Sequence, residues 1–309
     1  MKTAVTGAFG YSGRYIAKRL LEAGHEVITL TNSGGRDNPF GGAVRAVPFH
    51  FDQPSHLRES LQGVDALINT YWVRFNHRHF THEQAVANAK VLFQSAKDAG
   101  VRRIVHVSIT NPDRQSDLSY FRGKAEMEQA LQQLGVSHCI LRPAVLFGKE
   151  DILINNIAWS LRRFPVFGVF GAGAYKLQPI HVDDLALAAV AAAGRDTNEI
   201  INAIGPETFQ YHELVHTIAR TLGLKRLVVS VPPALGCWCC RVLGWLHGDV
   251  VITRDEIRGL MQNRLCVDAA PLGNTKLSEW LAEHRDTLGR RYTSEMARRT
   301  DRVSAYRCN

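Results

Sequence analysis

Tyr120 and Lys124 stand four residues apart in YFRGK, within a stretch whose apolar spacing predicts a helix, so both side chains share one face. A phenol that ordinarily titrates at about pH 10 works as an acid or base once a neighbouring ammonium stabilises its anion. Ten residues before Tyr120, Thr110 closes the run RRIVHVSIT, and Ser108 lies two residues earlier. The plainer alternative is a surface helix start with Tyr120 packed near its cap.

A second group of residues suits phosphate. TGAFGYSGR (6–14) sets Gly7, Gly10 and Gly13 at intervals of three and ends on Arg14, with Phe9, Tyr11 and Ser12 in the intervals. Gly7 permits a tight turn, Gly10 lets the backbone approach a pyrophosphate, and Gly13 lets a helix lie close to a sheet. The spacing is GxxGxxG. Its weight comes from its place between a strand and a helix, where N–H groups and the positive end of the helix dipole attract an anion. The next strand ends in LTNSGGR and lacks the carboxylate that NAD sites use to hold the ribose 2′-hydroxyl. Asn32, Ser33 and Arg36, together with Arg14, suit a 2′-phosphate instead, unless both arginines are only solvated surface charge. The expected cofactor is therefore NADP(H), with NAD(H) the alternative. Asp52 can accept from the adenine amino group, or cap the helix that follows.

The elements that must position these residues alternate. Strands are expected at 2–6, 25–31, 45–51, 65–71, 102–109 and 137–143, with helices between them, the first carrying Ile16, Ala17, Leu20 and Leu21 and closed by Gly24, the others beginning at Ser55, Glu83 and Tyr120. Strand and helix in turn, joined by short connections, predict an α/β fold with a doubly wound parallel Rossmann sheet. Asn69, Thr70 and Tyr71 then sit at the carboxyl end of the fourth strand and join the expected cofactor wall. Residues 1–205 form the expected dinucleotide domain. Residues 149–178 and 206–290 are expected to build a smaller C-terminal α/β lobe over the substrate, and 291–309 a basic tail.

The order of these features resembles the extended and atypical short-chain dehydrogenase/reductases over about residues 1–205. It is carried by TGxxGxxG, the hydroxyl residue after strand five, Tyr-x-x-x-Lys, LRPAVLFG (141–148) and QPIHVDDLA (178–186). LFGKEDILINNIA followed by QPIHVDDLALAA is most similar to the branch holding NmrA-like proteins and the NADPH-binding accessory subunit of respiratory complex I. The resemblance implies bound NADP(H), and it carries over to Gly7, Gly10, Gly13, Tyr120, Lys124 and Pro143, with Thr110, or less readily Ser108, as the hydroxyl of the triad that orients a substrate oxygen. Three activities follow in order. The first is an NADP(H)-dependent oxidoreductase on a small carbonyl or apolar substrate. The second is a non-catalytic NADPH-binding sensor or assembly subunit. The third is a sugar-nucleotide epimerase or dehydratase, from which this chain departs by its short Thr110–Tyr120 spacing.

Composition sets the remaining bounds. The 309 residues are 45% hydrophobic and 21% charged, an ordinary globular balance. There is no apolar run near the length of a membrane span, and residues 1–6 run too quickly into glycines for a signal peptide, so the expected location is the cytoplasm. The net charge of +8 draws on the tail GRRYTSEMARRTDRVSAYRCN. It carries no nucleic-acid-binding motif, so no nucleic-acid partner is expected. Cys237, Cys239 and Cys240 crowd in CWCC, at a spacing that suits neither a disulfide framework nor zinc. ALGCWCCRVLGWLHGDVVI (234–252) is expected to be lobe core. Its alternatives are a substrate wall or, with the basic tail, a segment touching a membrane surface or respiratory complex. His77, His79 and His82 read as a basic loop, with no metal expected.

Overall fold

The computed structural model describes residues 1–33 and 35–301. In chain order the elements are β1 (Lys2–Thr6), α1 (Tyr11–Glu22), β2 (Glu26–Leu30), β3 (Val44–Val47), α2 (Pro54–Ser60), β4 (Ala66–Asn69), α3 (His82–Asp98), β5 (Arg103–Val107), α4 (Ser119–Gln133) and β6 (Ser137–Pro143). They continue with β7 (Val145–Phe147), α5 (Leu153–Arg163), β8 (Val166–Phe170), β9 (Lys176–Leu177), β10 (Pro179–His181), α6 (Val182–Ala193) and β11 (Glu199–Ala203). Last come β12 (Phe209–Gln210), α7 (Tyr211–Thr221), β13 (Leu227–Val231), α8 (Pro233–His247), α9 (Arg254–Met261), α10 (Leu277–His284) and α11 (Glu295–Thr300).

Two units result. The first takes Met1–Pro143 and Val182–Ala203. Its seven-stranded sheet has the order β11-β6-β5-β4-β1-β2-β3, and every pairing is parallel. Strand order reverses between β1 and β4, the switch point at which ligands bind in such sheets. The α/β fold with a doubly wound parallel sheet is therefore the one expected. Its central strands are buried along most of their length because helices cover both faces. β4 and β5 are buried at every position. α1 turns Ile16, Ala17 and Leu20 inward, and α3, capped by the Thr81 hydroxyl accepting from the Gln84 N–H, buries Ala85, Ala89, Leu92 and Phe93.

The strands end earlier than the apolar runs suggest, for a local reason at β3. Pro48 has no N–H to give the ladder, so pairing stops at Val47. Phe49 and Phe51 then leave the sheet and stack at 4.6 Å between ring centroids, 5.1 and 5.2 Å from Tyr71. α2 opens on Pro54 with Gln53 at its cap position and no side-chain cap bond. Asp52 is exposed and precedes that position, so it does not cap the helix.

The second unit takes Ala144–His181 and Ile204–Asp301. Three two-stranded pairs, β7–β10, β8–β13 and β9–β12, surround a core in which Phe147, Ile154, Leu161, Leu214, Ile218, Trp280 and Leu281 meet. α7 begins at Tyr211 because Phe209 and Gln210 pair with β9, and the Glu213 carboxylate accepts from the Gln210 N–H at 3.1 Å. α8 is not the expected lobe core. Only Gly236, Cys237 and Gly244 of this helix are buried, while Leu235, Trp238, Val242, Trp245 and Leu246 are exposed. Part of the expected tail is ordered structure. The Asp249 carboxylate accepts from the N–H groups of Glu295 and Met296 at the start of α11 and from the Tyr292 hydroxyl. Residues 302–309 of that tail lie outside the described residues. Among the described residues, no helix is long and apolar enough to cross a membrane.

Candidate dinucleotide site and Tyr-Lys centre

The glycine run forms the turn from β1 into α1. Gly7 has φ +68°, a left-handed conformation that a side chain would strain, and its N–H donates to the Leu30 carbonyl at 2.9 Å. The Gly10 N–H folds back onto the Gly7 carbonyl at 2.8 Å, and Gly10 is the N-cap of α1 with no side-chain cap bond. Gly13 is the tightest of the three. A Cβ there would stand 2.3 Å from the Gly7 carbonyl oxygen, so helix and turn touch backbone to backbone. The first turn of α1 carries no acidic residue. Its N–H groups and dipole end are thus presented without a competing carboxylate, which fits a pyrophosphate. Phe9 is buried beneath the turn, while Tyr11, Ser12 and Arg14 are half-buried in the first turn of the helix.

After β2 the chain turns on hydroxyls and amides. The Thr31 hydroxyl accepts from the Ser33 N–H at 3.0 Å, the Ser33 carbonyl from the Arg36 N–H at 3.0 Å, and the Asn32 side chain from the Phe49 N–H at 3.4 Å. Arg36 is buried, a costly place for a guanidinium unless charge-accepting groups meet it. No carboxylate occupies the end of β2, as the sequence shows.

At the ends of β1, β4 and β5 a polar network locks the strands together. The Thr6 hydroxyl donates to the Asn69 side-chain Oδ1 at 3.2 Å and accepts from the Thr70 N–H at 2.6 Å, and the Thr70 hydroxyl donates to the Thr6 backbone carbonyl at 2.6 Å. The Asn69 oxygen also accepts from the Tyr71 N–H at 3.1 Å, so its amide nitrogen is left to donate to His106 Nδ1 at 3.0 Å. Burial, with the Lys124 charge nearby, holds His106 well below its usual pKa, consistent with a neutral ring accepting that bond. The Tyr71 ring leans away toward α3, where its hydroxyl accepts from Asn88 at 2.9 Å.

Tyr120 and Lys124 both lie on α4, and an indole joins them. The Trp72 ring stacks on His82 at 5.2 Å, meets Tyr120 edge-on at 5.5 Å and covers the Lys124 ammonium at 4.7 Å. Gly123 makes room for it, since a Cβ there would come within 2.8 Å of the indole. His82, whose Nδ1 is hydrogen-bonded to the Ser119 hydroxyl at 2.8 Å, is the first residue of α3 rather than part of a loop, and burial lowers its pKa. The Lys124 amine donates to the Val107 carbonyl at 2.9 Å. Complete burial pushes it down to about 7, against the opposing pull of Glu128. Thr110 is fully buried, and its N–H donates to the Pro143 carbonyl at 3.0 Å. Ser108 is committed elsewhere: its hydroxyl donates to Glu128, which also accepts both arms of Arg142.

Sequence reasoning missed Trp72, Gly123, His106 and the Glu128–Arg142 pair. In-register polar residues at neighbouring strand ends, Asn69 beside His106, were the one available signal. Among the described residues no three His, Cys, Asp or Glu side chains converge as a metal site; His77 and His79 face each other at 5.4 Å, apart from His82's partners.

The sequence pattern of the NAD dependent epimerase/dehydratase family matches residues 3–204, which holds the whole glycine turn, α4 and the sheet. The chain belongs to that family. Two curated members of complex I resemble it. One is the alpha subcomplex subunit 9 of mitochondrial NADH dehydrogenase from Arabidopsis thaliana, 28% identical over 68% of this chain and 55% of that protein. The other is the 40 kDa subunit of mitochondrial NADH-ubiquinone oxidoreductase from Neurospora crassa, 27% identical over 82% and 68%. The chain thus spans little more than half the length of the Arabidopsis relative. Among solved structures, Citrobacter sp. triphenylmethane reductase complexed with NADP(H) shares the epimerase/dehydratase-family fold with a TM-score of 0.74. It is 17% identical over 92% of this chain and all of that one.

Proposed function

We propose that the chain is an NADP(H)-dependent oxidoreductase of the short-chain dehydrogenase/reductase type, acting on a small carbonyl or apolar substrate. The observation that carries this is the contact of Gly13 with the Gly7 carbonyl, a cradle closed to any Cβ at the uncompensated N-terminus of α1. When bound there, NADP(H) supplies or accepts hydride at the nicotinamide. Backbone N–H groups of residues 11–13 would hold the pyrophosphate, the Gly10 N–H being taken by the Gly7 carbonyl, and Arg14, Asn32, Ser33 and Arg36 would hold the 2′-phosphate. Asp52, exposed after the aromatic turn, would take the adenine end, and Asn69, Thr70 and Pro143 at the strand ends would frame the nicotinamide end; the Tyr71 and Ser108 hydroxyls are engaged by Asn88 and Glu128 instead. Tyr120 passes its phenolic proton to the substrate oxygen, Thr110 orients that oxygen, and Lys124 stabilises the phenolate and binds the ribose. The proposed location remains the cytoplasm; the mitochondrial location belongs to the plant and fungal relatives.

A second reading is a non-catalytic NADPH-binding subunit of a respiratory complex. It is favoured by the relatives and by the Lys124 amine, already engaged by Val107 and covered by Trp72. One experiment separates the two. Denature the purified protein, identify the dinucleotide released, and titrate the emptied protein with NADPH and NADH; then screen carbonyl substrates with Tyr120→Phe beside the parent. Tighter NADPH binding, with turnover that falls by orders of magnitude in Tyr120→Phe, is the expected result. Retained NADPH without turnover on any substrate selects the second reading. Tighter NADH binding removes the 2′-phosphate assignment.

A further inference from the structure

We propose that α8 is an interfacial helix whose exposed face enters the surface of an anionic lipid membrane. At 3.6 residues per turn, Leu235, Trp238, Cys239, Val242, Trp245 and Leu246 fall within an arc of about 120°. Trp238 is 62% exposed, Trp245 82% and Leu246 63%. The opposite side is built to lie flat: a Cβ at Gly236 would stand 2.5 Å from the Phe170 ring, and one at Gly244 2.4 Å from the Asp249 carbonyl. The helix is therefore seated firmly, and its apolar residues point outward from a fixed platform. The two indoles alone present roughly 300 Å² of surface, already the size of the largest apolar patch on an ordinary monomer.

A second apolar exposure lies on the same unit. Phe164 is exposed beside the buried Trp159, at 5.9 Å between ring centroids. Phe164 leads into β8, where exposed Val166 pairs in register with Leu227, itself 62% exposed. Basic residues border this apolar run. Lys225 and Arg226 directly precede Leu227, Arg163 stacks on Trp159 at 5.3 Å, and Arg241 sits at the edge of the stripe; α8 itself carries no acidic residue. Tryptophans on an acid-free apolar face with a cationic border are the chemistry of insertion at an anionic headgroup boundary. A folded protein partner fits less well. The arc is a convex stripe whose side-chain hydrogen-bonding groups are one thiol and two indole N–H donors, with no side-chain carbonyl or carboxylate acceptor to specify a partner, and indoles seat naturally at a headgroup boundary. This inference is independent of the oxidoreductase assignment.

The test uses the full chain and unilamellar vesicles of phosphatidylcholine, with and without phosphatidylglycerol. Sedimentation with the anionic vesicles is expected, weakened by high salt, with at least a tenfold loss of partitioning in Trp238→Ser/Trp245→Ser at an unchanged melting temperature. Brominated acyl chains should quench the tryptophan emission of the unaltered protein, a readout that survives if the double variant fails to fold. Absence of binding to anionic vesicles, equal binding by a folded double variant, or absence of bromine quenching overturns the proposal. So does a homodimer that the double substitution dissociates while vesicle binding is absent, since the stripe is then a protein interface.

Discussion

Gly13→Ala tests the dinucleotide cradle at its tightest point. The added methyl would sit 2.3 Å from the Gly7 carbonyl oxygen and 2.7 Å from its carbon. Turn and helix must part by about 0.7 Å before that approach reaches a tolerable 3.0 Å or so, an overpacking that costs about 1–3 kcal/mol of stability. The same movement stretches the hydrogen bonds from the first turn of α1 to a bound phosphate from about 2.9 Å to about 3.6 Å, beyond a working bond. One such charge-assisted bond contributes about 1.5–3 kcal/mol, so NADPH affinity should fall by about 10- to 100-fold. Isothermal titration with NADPH measures the loss and thermal melting the destabilisation. Gly194→Ala is the control, because its Cβ would meet only the Ala191 carbonyl at 3.8 Å. A Gly13→Ala protein that binds NADPH as tightly as the parent, and melts with it, would refute the cradle.

Four further outcomes are expected. Trp72→Ala should lose about 2–4 kcal/mol in denaturant unfolding, because the indole fills the space over Gly123 and covers Lys124. The folded pKa of Lys124, about 7, lies below that of an unfolded lysine at about 10.4, so the unfolded chain binds the extra proton between those values. Stability should therefore rise with pH across that window, and Lys124→Met should flatten the slope in urea titrations at several pH values. Asp151 has the opposite sign: burial raises its folded pKa to about 7, so the stability it contributes is present at low pH and is lost as pH rises through 7. Asp151→Asn should gain on the parent above pH 7 in the same titrations. Glu128→Gln removes the negative charge opposite Arg142 and turns one of two acceptor oxygens into a donor that faces the guanidinium or the Ser108 hydroxyl, in a buried place, and should cost about 2–4 kcal/mol, read by thermal melting.

Much of the first unit was legible because its signals are local. Apolar runs of four to seven residues alternate with helical spacing, and a glycine turn between β1 and α1 has few other uses. Strand ends were less legible, since Pro48 stops β3 by removing one donor, while Phe49 and Phe51 keep the pattern apolar after the sheet has ended. The surroundings of Lys124 were illegible for a different reason. Trp72 lies 52 residues away along the chain, and only folding brings its ring over the amine. α8 shows the limit of composition: a tryptophan-rich apolar run reads as core, but whether anything covers it depends on the neighbours. Here Gly236 and Gly244 let the small side lie down and leave the large side outward.

The sheet of the first unit is interrupted in sequence, with Ala144–His181 belonging to the second unit before β11 returns to pair with β6. During synthesis this imposes an order. Once residue 205 has emerged from the ribosome, β6 can be sealed by β11, but β8 and β9 still lack β13 and β12, which come later in the chain. A nascent protein at that stage carries two unpaired strand edges from its own interior segment. Expression of residues 1–205 as a fragment would freeze that intermediate and should yield a chain prone to aggregate. The practical boundary of the dinucleotide-binding unit is therefore two cuts and a splice, joining 143 to 182, rather than one cut.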